Sequence, residues 1–403
     1  MCMSRKRHKG RKVRVDFRQN RQQPRRSDDW TRRYHQDEDA TVDERLAESV
    51  RAKGELSRRR TVIVDEDDVP VVDERLWQHG VVTAVHGLIC RVDDKWGQHW
   101  DCTARRVLRT LLIEQRSSVT VGDRVWFSDH SKAREGEAVG VIERVAERTT
   151  TLSRRDRRQR EHTIVANADQ LLIVASIAEP ALKPHLIDRY LVAAAKGDLR
   201  PVICFNKCDL EPEAVEFEEE PEPGPDRGAG RALSIDEIFE EFRALGYSCI
   251  RTSATERIGL EKLRRELAGH MTVLSGQSGV GKSSLLNALQ PGLNLKVMEV
   301  SRDTEKGRHV TAHARLLRLD FGGYVVDTPG IRQFGLWNVE PGELEACFVE
   351  FVPRVQDCRF NDCHHVQEEG CAIVAAVEAG EISERRYFSY LKMLDEMAHE
   401  QRQ

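Results

Sequence analysis

Eight consecutive residues, Gly276-Gln277-Ser278-Gly279-Val280-Gly281-Lys282-Ser283, match the order G-x-x-x-x-G-K-S. Glycines let a backbone wrap closely around a phosphate, and the amides that open a following helix point at the anion. The apolar run Met271–Ser275 before this loop reads as a strand, and Ser283-Ser284 with the leucines after it reads as a helix. That strand–loop–helix setting is the one in which the pattern cradles phosphates. There Lys282 would reach the β- and γ-phosphates and assist transfer, while Ser283, next to Ser284, would ligate Mg²⁺.

Three further motifs narrow the nucleotide and the reaction. Asn206-Lys207-Cys208-Asp209 follows the apolar run Pro201–Phe205. A carboxylate there can accept from guanine N1–H and N2–H₂, a donor pair that adenine lacks. Charge-assisted bonds of about 1.5–3 kcal/mol each could supply that selectivity. Thr252-Ser253-Ala254, at the end of another strand-like run, suits a loop that offers a backbone amide to guanine O6. Asp327-Thr328-Pro329-Gly330 after Tyr324–Val326 fits D-x-x-G. Asp327 would hold Mg²⁺ through water, and the Gly330 amide would sense the γ-phosphate. Between the loop and this motif, Asp303–Thr311 has the Gly, Thr and charge of a switch segment, with Thr311 as its metal-contact candidate. Together these motifs describe a guanine-nucleotide hydrolase. Their order is unusual: N-K-x-D and T-S-A precede the phosphate loop and D-x-x-G, so the domain is circularly permuted. The chain after residue 335 is thereby fastened close to the D-x-x-G switch.

A second constellation follows. Cys358, Cys363 and Cys371 fall within fourteen residues, together with His364 and His365. Three thiolates and one imidazole make a closed tetrahedral set, which suits one structural zinc ion per chain. Spacing alone does not choose between the two histidines. The other cysteines (Cys2, Cys90, Cys102, Cys204, Cys208, Cys249 and Cys347) are scattered and read as small core residues. The N-terminus lacks the apolar core of a secretory signal, and no apolar run is long enough to span a membrane. The expectation is a soluble cytoplasmic protein.

The elements that must position these residues are legible in outline. After about Thr149, strand and helix patterns alternate, which predicts a mainly parallel sheet covered by helices. Ala168–Ser176 reads as a strand buried on both faces, and His185–Gly197 as a helix with apolar positions 186, 187, 190, 191 and 194. Ser234 and Glu237 form a capping box opening a helix whose stripe includes Ile238 and Phe242. Tyr247–Thr252 reads as a further strand, and the 211–232 stretch as an acidic insertion, densest over 211–226. Short β-rich segments over 66–148 suggest an OB-type barrel, although composition equally allows an SH3-like one. Residues 1–65 hold few aliphatics and read as mostly disordered, with a transient helix near Asp43–Gly54.

Charge is split along the chain. The net charge is −4, but residues 1–35 carry thirteen Lys/Arg against three Asp/Glu, so the remainder carries −14. A basic tail before a barrel points to a polyanionic partner. Four domains are expected: a basic extension 1–65, a barrel 66–148, a permuted GTPase 149–335 and a zinc-binding helical segment 336–403.

Through these motifs, the chain from about residue 75 onward resembles the ribosome small-subunit-dependent GTPase A (RsgA) family. Supporting stretches begin at Ala166, Ile187, Gly307 and Arg332, and the C-terminal pattern is C-x4-C-x-H-x5-C. The resemblance implies that His365 is the zinc ligand and His364 a spacer. It implies that His309, in the segment Gly307-Arg308-His309-Val310-Thr311, orients the attacking water, since residue 331 is Ile where Ras-like enzymes place Gln. It also implies function: binding of the small (30S) ribosomal subunit through 16S rRNA and neighbouring ribosomal proteins. GTP would be hydrolysed to GDP in late subunit maturation, by a monomer released on hydrolysis. The alternatives are a P-loop NTPase serving as a general RNA-binding or translation factor, an ATPase or kinase, and an RNA-binding scaffold with a structural nucleotide. Asn206 and Asp209 argue against the adenine-specific reading.

Overall fold

The computed structural model describes residues 11–16, 59–64, 77–105, 108, 119–131, 138–155, 161–210, 233–293, 295, 314–327, 339, 341–366 and 368–401. They divide into two units, 1–148 and 149–403.

In the first unit, β1 (Arg11–Asp16) and β2 (Arg59–Val64) pair antiparallel, with Val13 opposite Val62. Composition argues for disorder in this segment, and the pair rests on two short stretches within it, alternating over Lys12–Val15 and apolar over Val62–Val64. The helix expected near Asp43–Gly54 lies outside the described residues. The barrel follows: β3 (Gln78–His86), β4 (Ile89–Asp94), β5 (His99–Ala104), β6 (Arg124–Asp129) and β7 (Val139–Val145). Neighbours run β3-β4-β5-β7-β6, and β6 pairs back onto β3 to close the circle. The β5–β7 pair is parallel while the others are antiparallel, the crossover of an OB-type Greek-key barrel. Val82, Val92, Trp100, Cys102, Val125, Phe127 and Ile142 fill its interior. Gly140 is required there, because a Cβ would lie 2.8 Å from Cys102 Sγ and 2.9 Å from Phe127.

The second unit opens with a hairpin, β8 (Thr151–Arg155) and β9 (Glu161–Ala166). Its main sheet has the order β12-β11-β10-β13-β15-β14. These strands are β10 (Gln170–Ser176), β11 (Arg200–Asn206), β12 (Ser248–Thr252), β13 (Met271–Ser275), β14 (Arg315–Arg318) and β15 (Tyr324–Asp327). All of these pairs are parallel except β14–β15, which is antiparallel. The buried runs of β10, β11 and β13 are apolar on both faces because helices cover both sides. Helices α1 (Pro184–Lys196), α2 (Ile235–Ala244), α3 (Leu260–Leu267) and α4 (Lys282–Leu289) connect the strands. Both halves of the capping box are made at α2: Glu237 N donates to Ser234 Oγ, and Ser234 N to Glu237 Oε2.

The chain ends in α5 (Pro341–Leu344), α6 (Ala372–Glu378) and α7 (Glu384–Gln401), packed on Leu344, Phe348, Phe351, Ile373, Tyr390 and Met393. A buried ionic group holds α7 to the sheet-covering helices. Asp188 of α1, fully buried, accepts from Arg385 and Arg386 at 2.7 Å each. Arg385 also reaches Glu241 of α2, and Arg386 reaches Glu350. No helix among the described residues is long and apolar enough to cross a membrane.

Candidate nucleotide site and metal centre

The phosphate-loop residues run from the end of β13 into the first turn of α4. Gly276 has φ +143°, and a Cβ there would lie 2.2 Å from Val174 O on the neighbouring strand β10. Gly281 has φ +94° and a Cβ there would fall 2.4 Å from Asn206 Nδ2. Both conformations and both approaches exclude a side chain. Lys282 folds over the loop and donates from Nζ to Gly276 O at 2.6 Å and Gln277 O at 2.7 Å. Ser283 and Ser284 occupy the first turn of α4, where helix amides and dipole favour an anion. Gln277 and Val280 face a hollow also lined by Ser176, Lys183, Ile187 and Tyr190.

The Asn206–Asp209 loop joins this one through Asn206. Its Nδ2 donates to Val280 O at 2.7 Å, and its Oδ1 accepts from Thr252 Oγ1 at 3.0 Å. One buried amide therefore ties the ends of β11 and β12 to the phosphate loop. Lys207 follows with φ +61° and donates from Nζ to Glu179 O. Asp209 is exposed, and hydrogen bonding from Ser253 holds its carboxyl below the usual carboxylate range. Thr255 Oγ1 adds a 3.4 Å contact to its Oδ2. The Ser253-Ala254 turn is closed by Ser253 N to Ile258 O at 3.1 Å and Glu256 N to Ser253 Oγ at 3.0 Å. An ionised Asp209 beside this rigid turn is equipped to accept from the two donors of a guanine edge.

The remaining nucleotide-site candidates are placed only in part. Asp327 closes β15 opposite Arg315. His309, Thr311 and Gly330 lie outside the described residues.

In the C-terminal segment, ligand atoms of Cys358, Cys363, His365 and Cys371 all lie within 4.8 Å of one another. His365 Nδ1 is 3.4 Å from Cys371 Sγ and 3.6 Å from Cys358 Sγ. His364 is exposed, and its amide donates to Glu368. Burial pushes the Cys363 thiol up to about 12 and raises that of Cys371. Crowded, desolvated thiols of this kind become thiolates only with a cation among them, so the donor set fits a bound metal ion. Four residues fix the histidine. Its Nε2 lies 2.8 Å from Glu345 Oε2, its carbonyl accepts from Tyr387 Oη at 2.7 Å, and the Phe351 and Tyr390 rings flank it. The φ of +59° at His365 is held by that Tyr387 bond, with Tyr390 Oη on His364 O at 3.1 Å.

Sequence reasoning did not single out Glu345, Tyr387 or Tyr390, because each reaches the metal loop from a separate element and none shares its spacing pattern. Trp96 was also missed. It is 71 % exposed in the β4–β5 turn, with Lys95 Nζ 4.2 Å from its ring centre. Asp94, buried beneath, fixes that turn by accepting from Trp96 N and Gln98 N at 2.9 Å each. A lone tryptophan in a turn carries no sequence signal until its exposure is known.

Sheet order, the joined phosphate and base loops, and their reversed order in the chain define a circularly permuted GTPase carrying an OB-type barrel. The RsgA GTPase family model matches residues 145–337. Small ribosomal subunit biogenesis GTPase RsgA of Thermotoga petrophila is 38% identical over 323 residues, covering 80% of this chain and 97% of that protein. Its counterpart in Yersinia enterocolitica is 37% identical, covering 79% and 85%. Among solved structures, YjeQ from Thermotoga maritima aligns with a TM-score of 0.61 at 34% identity, over 80% of this chain and 99% of that one. YloQ, described as a circularly permuted GTPase, aligns with a TM-score of 0.59 at 25% identity, over 82% and 99%. The chain belongs to the RsgA family of GTPases.

Proposed function

We propose that this GTPase acts on the small ribosomal subunit during its late maturation, and that subunit-stimulated hydrolysis of GTP to GDP drives its release. The observation that carries the reading is the Asn206 bridge to Val280, which unites a guanine-reading loop and a phosphate-cradling loop from a permuted chain. The relatives named as small ribosomal subunit biogenesis GTPases support the partner. Gly276–Ser284 cradle the phosphates, while Asn206, Lys207, Asp209, Ser253 and Ala254 hold the base. Lys282 neutralises charge on the transferred phosphoryl group. Ser283, Thr311 and Asp327 hold Mg²⁺, which when bound neutralises phosphate charge, and Gly330 senses the γ-phosphate. His309 orients the attacking water, with the ribosomal partner setting its position. Cys358, Cys363, His365 and Cys371 hold one structural zinc ion.

The barrel and the basic N-terminal segment grip 16S rRNA beside neighbouring ribosomal proteins, and the protein works as a cytoplasmic monomer. Exposed Trp96 with its adjacent lysine supports the barrel's share of that contact, since bases stack on aromatic rings whatever their sequence.

Cosedimentation with purified small subunits tests the proposal. Retention with a non-hydrolysable GTP analogue and loss with GDP is expected; equal retention with both overturns it. His309→Ala is expected to keep nucleotide affinity and lose subunit stimulation, and full stimulated turnover in that variant refutes its assignment.

A further inference from the structure

A metal-binding histidine has two ring nitrogens, and the one that does not meet the metal must place its proton somewhere. The tautomer and ring angle are set by that second partner. In this chain the two nitrogens face different chemistry. Nδ1 of His365 turns toward the sulfurs of Cys371 and Cys358, at 3.4 and 3.6 Å. Nε2 turns away and meets Glu345 Oε2 at 2.8 Å. His365 is completely buried, whereas Glu345 keeps 26 % of its side chain exposed.

We infer that Glu345 is the positioning residue of the metal centre, accepting the Nε2 proton of His365 so that Nδ1 is presented to the ion. This rests on reading the Cys₃His cluster as a zinc site. Glu345 begins the 3-10 turn Glu345–Cys347, thirteen residues before Cys358, and stands outside the C-x4-C-x-H-x5-C spacing. The ring cannot turn to find another acceptor, because Phe351 and Tyr390 flank it at 6.0 and 6.1 Å between ring centres. Tyr387 on the His365 carbonyl holds its backbone. The carboxylate therefore does two things: it selects the tautomer with a bare Nδ1, and it fixes the ring angle at which that nitrogen faces the thiols.

The consequence is measurable without any nucleotide. Partners of this kind typically contribute about 10–100-fold to metal affinity. Zinc affinity of the full chain is measured by competition with a chromophoric chelator for the wild type, Glu345→Ala, Glu345→Gln and the control Glu343→Gln. Glu343 pairs with Lys196 instead of the metal loop. Glu345→Ala is expected to weaken zinc by about 10–100-fold. Glu345→Gln, which keeps an acceptor oxygen, falls between, and Glu343→Gln matches the wild type. Cobalt-loaded Glu345→Ala should keep the absorption bands of a tetrahedral three-sulfur, one-nitrogen site, which separates weakened binding from a collapsed fold. Unchanged zinc affinity in Glu345→Ala, with a wild type that binds one equivalent tightly, overturns the role of Glu345 alone. A wild type that binds no zinc overturns the metal reading beneath it.

Discussion

Replacing Asp188 by Asn tests how the C-terminal helix is held to the GTPase sheet. Asp188 is fully buried on α1, and its two oxygens each accept from a guanidinium at 2.7 Å, one from Arg385 and one from Arg386. The asparagine keeps the shape but turns one acceptor into a donor that faces an arginine. Removing one partner of a buried ion pair costs about 3–5 kcal/mol. Glu241 and Glu350 still hold the two arginines, so the lower end applies. About 3 kcal/mol corresponds to roughly a hundredfold increase in opening of α7. Hydrogen exchange of the amides across Glu384–Gln401 reads that opening directly, and nucleotide affinity serves as a check that the sheet is intact. Protection within threefold of the wild type would refute the reasoning.

The same group fixes a pH dependence. Burial alone would raise the Asp188 carboxyl, but Arg385 and Arg386 hold it below its ordinary value of 3.8. The stabilisation is therefore complete above that value and is lost only as pH falls through the lower native one. Protection of α7, corrected for intrinsic exchange, should be level at neutral and mildly acidic pH and should fall only in stronger acid.

Three further outcomes are expected. Gly281→Ala should lower GTP affinity at least tenfold in a fluorescent-nucleotide titration, because its Cβ would press Asn206 Nδ2 at 2.4 Å and its φ of +94° disfavours a side chain. Asp209→Asn should cut the ratio of GTP to ATP affinity by about a hundredfold, as two charge-assisted bonds of about 1.5–3 kcal/mol each are weakened; competition binding measures the ratio. Trp96→Ala should weaken binding to small subunits by about 1–3 kcal/mol and leave GTP affinity unchanged, as measured by filter binding and nucleotide titration.

The parts of this protein that were readable from sequence are those where chemistry dictates residue type at fixed spacing. The phosphate loop, N-K-x-D and the Cys/His run are local patterns, and their order disclosed the permutation before any strand was placed. Helix α1 was legible from its stripe, with buried Ile187, Tyr190, Leu191 and Ala194. The same stripe hid Asp188, because its partners lie almost two hundred residues away on α7. Glu345 was hidden for the same reason: its meaning comes from packing against His365, twenty residues on, with no periodicity linking them. The short strand β14 was not legible, since Arg-Leu-Leu-Arg is too brief to show a period. Composition could not decide between two barrel types, and the parallel β5–β7 pair did.

We propose that hydrolysis at this site answers to the small ribosomal subunit. GTP turnover measured with salt-washed small subunits, with large subunits and with neither tests it most directly. Acceleration by small subunits alone is expected. Equal rates in all three would contradict it while leaving the permuted GTPase fold intact.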